Sequence, residues 1–307
     1  MKKVFISLSS FSQVSDKPLS ILNANGCEVV LNPYKRKLTK EECLKHYSDV
    51  DGIIAGTERI DKDVLTVANK LRVISRVGVG LDSIDLEYAK TLGIEVYTSQ
   101  TLPSIAVAEL ALGLMIDVLR HISQHHAIIK NGEWIKSSGS LIYGKTLGIV
   151  GCGRIGKALV SLTKGFEMKY LAFDQEMDIE FGKLHNIRYV DLSYLLNQSD
   201  VVSINISKSS DTTDLIGAEE LAMMRKDAVF INTARGGIVS EDALVEALRK
   251  SEIAGAGIDV FDQEPYVGPL TDLENVVLTP HIGSNAGEIR ERMEIDAVNN
   301  LIAVLKP

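Results

Sequence analysis

The stretch Lys145–Gly156, KTLGIVGCGRIG, sets the architecture of the chain. Its apolar run, Leu147–Val150, reads as a strand that ends in Gly151, Gly153 and Gly156, and a helical pattern starts at Arg154 and Ile155. Strand, tight turn and helix with G-x-G-x-x-G spacing predict a dinucleotide site. Gly151 permits the turn, Gly153 lets a pyrophosphate approach the backbone, and Gly156 lets the helix pack against the strand. The helix N-terminus offers N–H groups and a partial positive charge to the phosphates. A second apolar strand, Lys169–Phe173, ends in Asp174, roughly 20 residues on, where a ribose-binding carboxylate belongs. That carboxylate would accept from a ribose 2′-OH and repel a 2′-phosphate. Gln175 and Glu176 follow it, with no Arg or Lys beside them, so NAD is expected rather than NADP.

The 307 residues around this stretch are enough for two domains, each with its own core. A hydrophobic content of 45% and a charged content of 24% are ordinary for a soluble protein. The net charge of −8 gives no basic footprint for nucleic acid. No apolar run reaches membrane-spanning length, and MKKVFISLSS turns polar too early for a signal peptide. Cys27, Cys43 and Cys152 are odd in number and scattered, so no disulfide framework is implied and a reducing cytoplasm is the expected setting.

Residues 1–98 read as repeated strand–helix units, with apolar runs at Val4–Leu8, Cys27–Leu31, Gly52–Ala55, Val73–Val77 and Ile94–Tyr97. Thr39–Glu42 carries a capping-box signature, and Asp61 is a candidate helix cap. Alternation resumes after Thr146, with strands expected at Ile187–Val190, Val201–Ile204, Ala228–Asn232, Ala256–Phe261 and Val276–Leu278, and with Asp191 and Ser240 as caps. Such alternation predicts an α/β protein with parallel sheets covered on both faces. Between the two blocks, Pro103 opens what reads as one long helix to Lys130. Ala106, Ala108, Ala111 and Gly113 on it are small enough to pack closely, with a second copy of the chain as the expected partner. His121 and His125 stand one turn apart, but without the carboxylate of a zincin motif they read as a solvated face, and no metal is expected. The final segment, Asn285–Lys306, reads as one amphipathic helix.

Three strand ends carry the unusual residues. One is Phe230–Gly237, where Arg235 precedes two glycines; its planar fork suits a carboxylate. Another is Gly257–Pro265, which presents Asp259, Asp262 and Glu264, and the third is Leu278–Gly283, with His281 after Pro280. Ligands of open α/β sheets bind at the carboxyl ends of strands. An anion-binding Arg, a titratable His and a carboxylate on that edge suit hydride transfer at a carbinol carbon, which needs a proton partner.

The motifs RVGVGLDSIDL (76–86), VAEL (107–110), GKTLGIVGCGRIGKAL (144–159), NTARGGIVSEDAL (232–244), GIDVFDQEP (257–265) and LTPHIGS (278–284) occur in this order. On them the chain resembles the D-isomer-specific 2-hydroxyacid dehydrogenases, most of all their short-form D-3-phosphoglycerate dehydrogenases. The resemblance implies two doubly wound parallel-sheet domains: a flavodoxin-like substrate-binding domain and a Rossmann NAD-binding domain. It divides the chain into residues 1–98, an NAD-binding segment 99–282, and a return helix 283–307 that rejoins the first domain. Hinges would lie near Ser99 and Ile282, with the substrate in the cleft between the domains. It also implies a homodimer formed through the NAD-binding domain.

For the site, the resemblance gives Arg235 the substrate carboxylate and carbonyl, His281 the acid–base step, and Glu264 the orientation of His281. Backbone N–H groups of Gly78, Val79 and Gly80 would bind the substrate carboxylate. Gly151, Gly153, Arg154, Ile155 and Gly156 would hold the pyrophosphate, and Asp174 the adenosine ribose. Thr233, Ala234 and Asp259 would border the nicotinamide, with Asp259 on its carboxamide. Where the family reads H-x-P, this chain has Asn205-Ile206-Ser207, a loop expected to border the cofactor through Ile206. The expected activity is interconversion of a D-2-hydroxy acid and its 2-oxo acid. The substrate pair expected is 3-phosphoglycerate and 3-phosphohydroxypyruvate, and Arg59, Arg76, Lys136 and Lys208 are the candidates for a second anion site. Glyoxylate, hydroxypyruvate or a phosphonate analogue is the alternative substrate. An NAD-sensing regulatory protein on the same scaffold is the rival reading.

Overall fold

The computed structural model describes residues 1–306. The chain forms two compact units, one made of Met1–Pro103 with the chain from Ser284 onward, the other of Ser104–Gly283.

In the first unit, β1 (Lys2–Ile6), β2 (Cys27–Leu31), β3 (Gly52–Ala55), β4 (Val73–Arg76) and β5 (Glu95–Thr98) form one sheet in the order β2-β1-β3-β4-β5, all parallel. This is the flavodoxin-like order. Local chemistry starts its helices. At Lys40–Tyr47, Thr39 Oγ1 accepts from the Glu42 N–H and Glu42 Oε2 accepts from the Thr39 N–H. At Lys62–Val67, Asp61 accepts from the N–H groups of Asp63 and Val64. The helix Gly287–Leu305 returns to cover this sheet, with Leu301 and Leu305 filling the space over Gly52. Val4, Ile6, Ile54 and Val73 are buried beneath it with Met293, Val298 and Leu301.

In the second unit, β6 (Thr146–Val150), β7 (Lys169–Phe173), β8 (Ile187–Tyr189), β9 (Val201–Ile204), β10 (Val229–Asn232), β11 (Gly255–Ile258) and β12 (Val276–Leu278) form a parallel sheet ordered β12-β11-β10-β9-β6-β7-β8. This is the doubly wound Rossmann order with one further strand. Strand order reverses between β6 and β9, which places the ligand crevice of such sheets there. Val202, Ile204 and Phe230 point into one apolar layer; Leu147, Ile149, Val229 and Ile231 point into the other. Burial on both faces explains why these strands read as continuous apolar runs rather than alternating ones.

Two expectations about the helix after Pro103 need correcting. It is not continuous to Lys130: Ser104–Arg120 ends, His121 takes a left-handed conformation at φ 56°, and a second helix runs Ile122–Lys130. Asp117 causes the break by accepting from the backbone N–H and the hydroxyl of Ser123. The returning chain reinforces it, since the Ser140 N–H donates to Leu119 O at 2.8 Å and a side chain at Gly139 would collide with the Leu119 carbonyl. The alanine face also does not await a second copy. Ala106, Ala108 and Ala111 are buried within the chain, and the next residues along the helix, Leu114 and Val118, press against the glycines of β11.

Candidate active site

The glycine turn is built by close approach. Gly151 sits at φ 94°, a region side chains avoid, and a Cβ there would lie 2.6 Å from Ile206 Cγ2. At Gly156 a Cβ would lie 2.5 Å from Gly151 O, so helix Arg154–Thr163 packs directly on its own turn. Gly153 is the N-cap, places no side chain on the helix N–H groups, and faces open space. Asp174 follows β7, with Oδ2 accepting from the Cys152 N–H at 2.7 Å and Oδ1 from the Glu176 N–H at 2.9 Å. These bonds aim the carboxylate and leave lone pairs for a ribose.

Asn205 and Thr233 each follow one of the adjacent strands β9 and β10. Asn205 Oδ1 and Thr233 Oγ1 are both buried and have no hydrogen-bond partner among the described residues. An unpaired buried polar atom costs about 1–3 kcal/mol. Two at this edge, next to an open glycine turn, fit the residues to a polar dinucleotide.

The carboxyl ends of β10, β11 and β12 carry the predicted chemistry. Asn232 shapes the first: its Oδ1 accepts from the Ala234 N–H at 3.0 Å, and its Nδ2 donates to Arg235 O at 3.1 Å. Arg235 is half-buried, with Nη1 donating to Ala234 O at 2.7 Å. A side chain at Gly236 would collide with the Phe261 carbonyl, so the Arg235 turn rests on the loop after β11. In that loop the Asp262 N–H donates at 2.6 Å to Oε1 of Glu241, the first residue of helix Glu241–Arg249, and Phe261 stacks on Tyr266 at 4.3 Å. Burial pushes the carboxyls of Glu241 and Asp262 up from their ordinary values.

His281 and Glu264 meet. Nδ1 of His281 lies 2.9 Å from Glu264 Oε1 and 3.0 Å from Oε2. Because a carboxylate only accepts, Nδ1 carries the hydrogen and Nε2 is left for proton exchange. His281 itself is left-handed, at φ 54°, a conformation that costs a non-glycine residue roughly 1–2 kcal/mol. Asp259, fully buried, directs its side chain into the same turn. Its Oδ1 accepts from Thr279 Oγ1 at 2.6 Å and from the Ile282 N–H at 2.8 Å, and its Oδ2 accepts from the Gly283 N–H at 2.9 Å. Burial raises the Asp259 carboxyl above the usual range, partly offset by these donors.

The remaining candidates are placed as follows. Gly78, Val79 and Gly80 form the loop after β4; the Gly78 N–H donates to Ser99 Oγ at 3.2 Å, and Val79 is exposed. Arg76 is buried, with Nη1 on Ser83 Oγ at 2.8 Å, and Arg59 lies 3.8 Å from Asp61. Lys208 lies over Gly237 and interacts with Asp262, and Lys136 is exposed. His125 has both ring nitrogens engaged, Nδ1 by His121 O and Nε2 by the Ser137 N–H. Among the described residues no group of three His, Cys, Asp or Glu side chains forms a metal site, and no helix is long and apolar enough to cross a membrane. Asn232, Glu241 and Thr279 support this edge and were not singled out from the sequence. Asn232 had a signal, since an Asn two residues before the residue it caps is an Asx-turn pattern.

A glycine turn at a switch point and an imidazole–carboxylate pair on the same sheet edge define a dinucleotide-binding α/β protein equipped for proton transfer. Residues 112–283 match the model of the D-isomer specific 2-hydroxyacid dehydrogenase NAD binding domain. A glyoxylate reductase of Thermococcus litoralis is 39% identical over 300 residues, covering 92% of this chain and 91% of that protein. A D-3-phosphoglycerate dehydrogenase of Methanocaldococcus jannaschii is 40% identical over 260 residues, 83% of this chain but 49% of that longer protein. The crystal structure of the TT0316 protein from Thermus thermophilus superposes with a TM-score of 0.87 at 36% identity, covering 99% of this chain and 96% of that one. The chain therefore belongs to the D-isomer specific 2-hydroxyacid dehydrogenase family, and NAD is its cofactor.

Proposed function

We propose that the protein reduces a small, unphosphorylated 2-oxo acid, glyoxylate or hydroxypyruvate, to the D-2-hydroxy acid with NADH. The observation that carries this reading is the His281–Glu264 pair, with Nε2 left for the proton, on the sheet edge that bears the glycine turn. When bound, the nicotinamide supplies the hydride. His281 gives its proton to the carbonyl oxygen, and Glu264 holds the ring in place. Arg235 holds the substrate carboxylate; in the first unit the N–H groups of Val79 and Gly80 are the remaining candidates for substrate, since the Gly78 N–H is already engaged by Ser99. Residues 1–98 with the return helix are the substrate-binding part.

Arg76 is buried against Ser83, Arg59 stands beside Asp61, and Lys208 faces Asp262. Arg76 is thus already partnered, and the exposed Arg59 and Lys208 each stand near a carboxylate, which weakens the case for 3-phosphohydroxypyruvate. Several relatives bear the name glyoxylate reductase, and one from Thermotoga maritima the name hydroxypyruvate reductase.

The working form is a homodimer joined through the NAD-binding unit. Helix Ile122–Lys130 buries none of its residues within the chain, and Ile122, Ile129, Trp134, Ile135, Leu141 and Tyr143 leave a large apolar surface exposed along this arm. The three cysteines are free and suit a reducing cytoplasm. The test is a screen of 2-oxo acids with NADH, followed by absorbance. Glyoxylate or hydroxypyruvate should give the highest kcat/KM. A higher value for 3-phosphohydroxypyruvate would overturn the substrate assignment.

A further inference from the structure

We infer that Asp259 is a positioning residue for His281: its carboxylate is the post around which the strained Thr279–Gly283 turn is wrapped. The inference rests on the reading of His281 as the proton donor.

Three side-chain bonds converge on this one carboxylate, from Thr279 Oγ1, the Ile282 N–H and the Gly283 N–H. A fourth bond comes from the main chain, where the His281 N–H donates to Asp259 O at 2.9 Å. Donors from both sides of His281 therefore end on a single residue of the neighbouring strand end. This accounts for an imidazole held at φ 54°, since a sparsely populated conformation persists only where its surroundings over-determine it. Pro280 contributes no N–H to the turn. Asp259 is fully buried, and a carboxylate has about four acceptor positions. Three are taken by the turn, so any contact with a bound carboxamide is secondary to holding His281 in line with Glu264. The two oxygens face two backbone N–H donors and one hydroxyl, so the turn calls for an acceptor pair at this position.

Thr279→Val separates this role from direct cofactor contact, because it removes one anchor and leaves the carboxylate in place. Wild type, Thr279→Val and Asp259→Asn are compared by kcat, by NADH affinity from fluorescence titration, and by the proton resonance of the His281 Nδ1–H. Misplacing a reacting group costs up to about a hundredfold. Thr279→Val should lower kcat about tenfold, broaden or lose the Nδ1–H resonance, and leave the NADH dissociation constant within about twofold. Asp259→Asn should lower kcat further, with the same loss of resonance; if it fails to fold, Thr279→Val decides alone. An unchanged resonance in Thr279→Val, or a loss confined to NADH affinity, overturns the proposal. If wild type reduces no 2-oxo acid, the proton-donor reading fails separately, while the resonance still tests the hold of Asp259 on the turn.

Discussion

Glu264 presents both carboxylate oxygens to one nitrogen of His281, Nδ1, at 2.9 and 3.0 Å. The ring is thereby fixed in one tautomer and orientation, with Nε2 turned away from the carboxylate. Glu264→Gln keeps an acceptor of the same shape and removes the charge. Its kcat for 2-oxo acid reduction should fall about ten- to a hundredfold, with a changed pH–rate profile and little change in NADH affinity. A profile identical to wild type would show that Glu264 does not act on the ring.

Asp174 should set the choice of dinucleotide. Its carboxylate, aimed by the N–H groups of Cys152 and Glu176, favours a ribose 2′-OH and repels a 2′-phosphate. Asp174→Ala should raise the dissociation constant for NADH by about tenfold, as loss of a hydrogen bond to a charged group does, and affect NADPH less. Equal weakening of both would mean the ribose is held elsewhere.

Acid should inactivate before it unfolds. Burial raises the Asp259 carboxyl, so it takes a proton above the ordinary aspartate value of about 3.9. Because its folded value is the higher one, this group's contribution to stability grows as pH falls through that window and shrinks as pH rises. Protonation puts a hydrogen on one of the two oxygens that accept from Thr279, Ile282 and Gly283, and so rearranges the turn carrying His281 without destabilising the fold. The rate should therefore fall on acidification while still above about pH 4, with circular dichroism unchanged; coincidence of the two losses would contradict this.

The exposed arm should be the dimer contact. Trp134 is 80% exposed and Leu141 67%. Replacing both with Asp should convert a dimer to a monomer in light scattering without loss of secondary structure. A wild-type protein that is monomeric, or a variant that stays dimeric, would rule this contact out.

How much of this was legible in the sequence follows from range. The turn Gly151–Gly156 and the caps at Thr39, Asp61, Asp191 and Ser240 are written in adjacent residues, and each forms where expected, whereas the strand read as Ala256–Phe261 already ends at Ile258. The break at His121 was not legible, because helical periodicity runs straight through it and its causes are a side chain at Asp117 and a backbone returning at Gly139 and Ser140. Asp259 shows the same limit. Its place at a strand end is legible, but the three donors that fold onto its oxygens lie 20 to 24 positions away. The alanine face of Ser104–Arg120 equally signals close packing without naming the partner, which turns out to lie within the chain.

The sharpest test is the turnover number of His281→Ala with NADH and the best 2-oxo acid from the screen. Loss of a positioned acid–base group costs about 10²–10⁴-fold, and a fall of at least a hundredfold with NADH affinity retained is the expected result. Turnover within a few fold of wild type would remove His281 from the reaction.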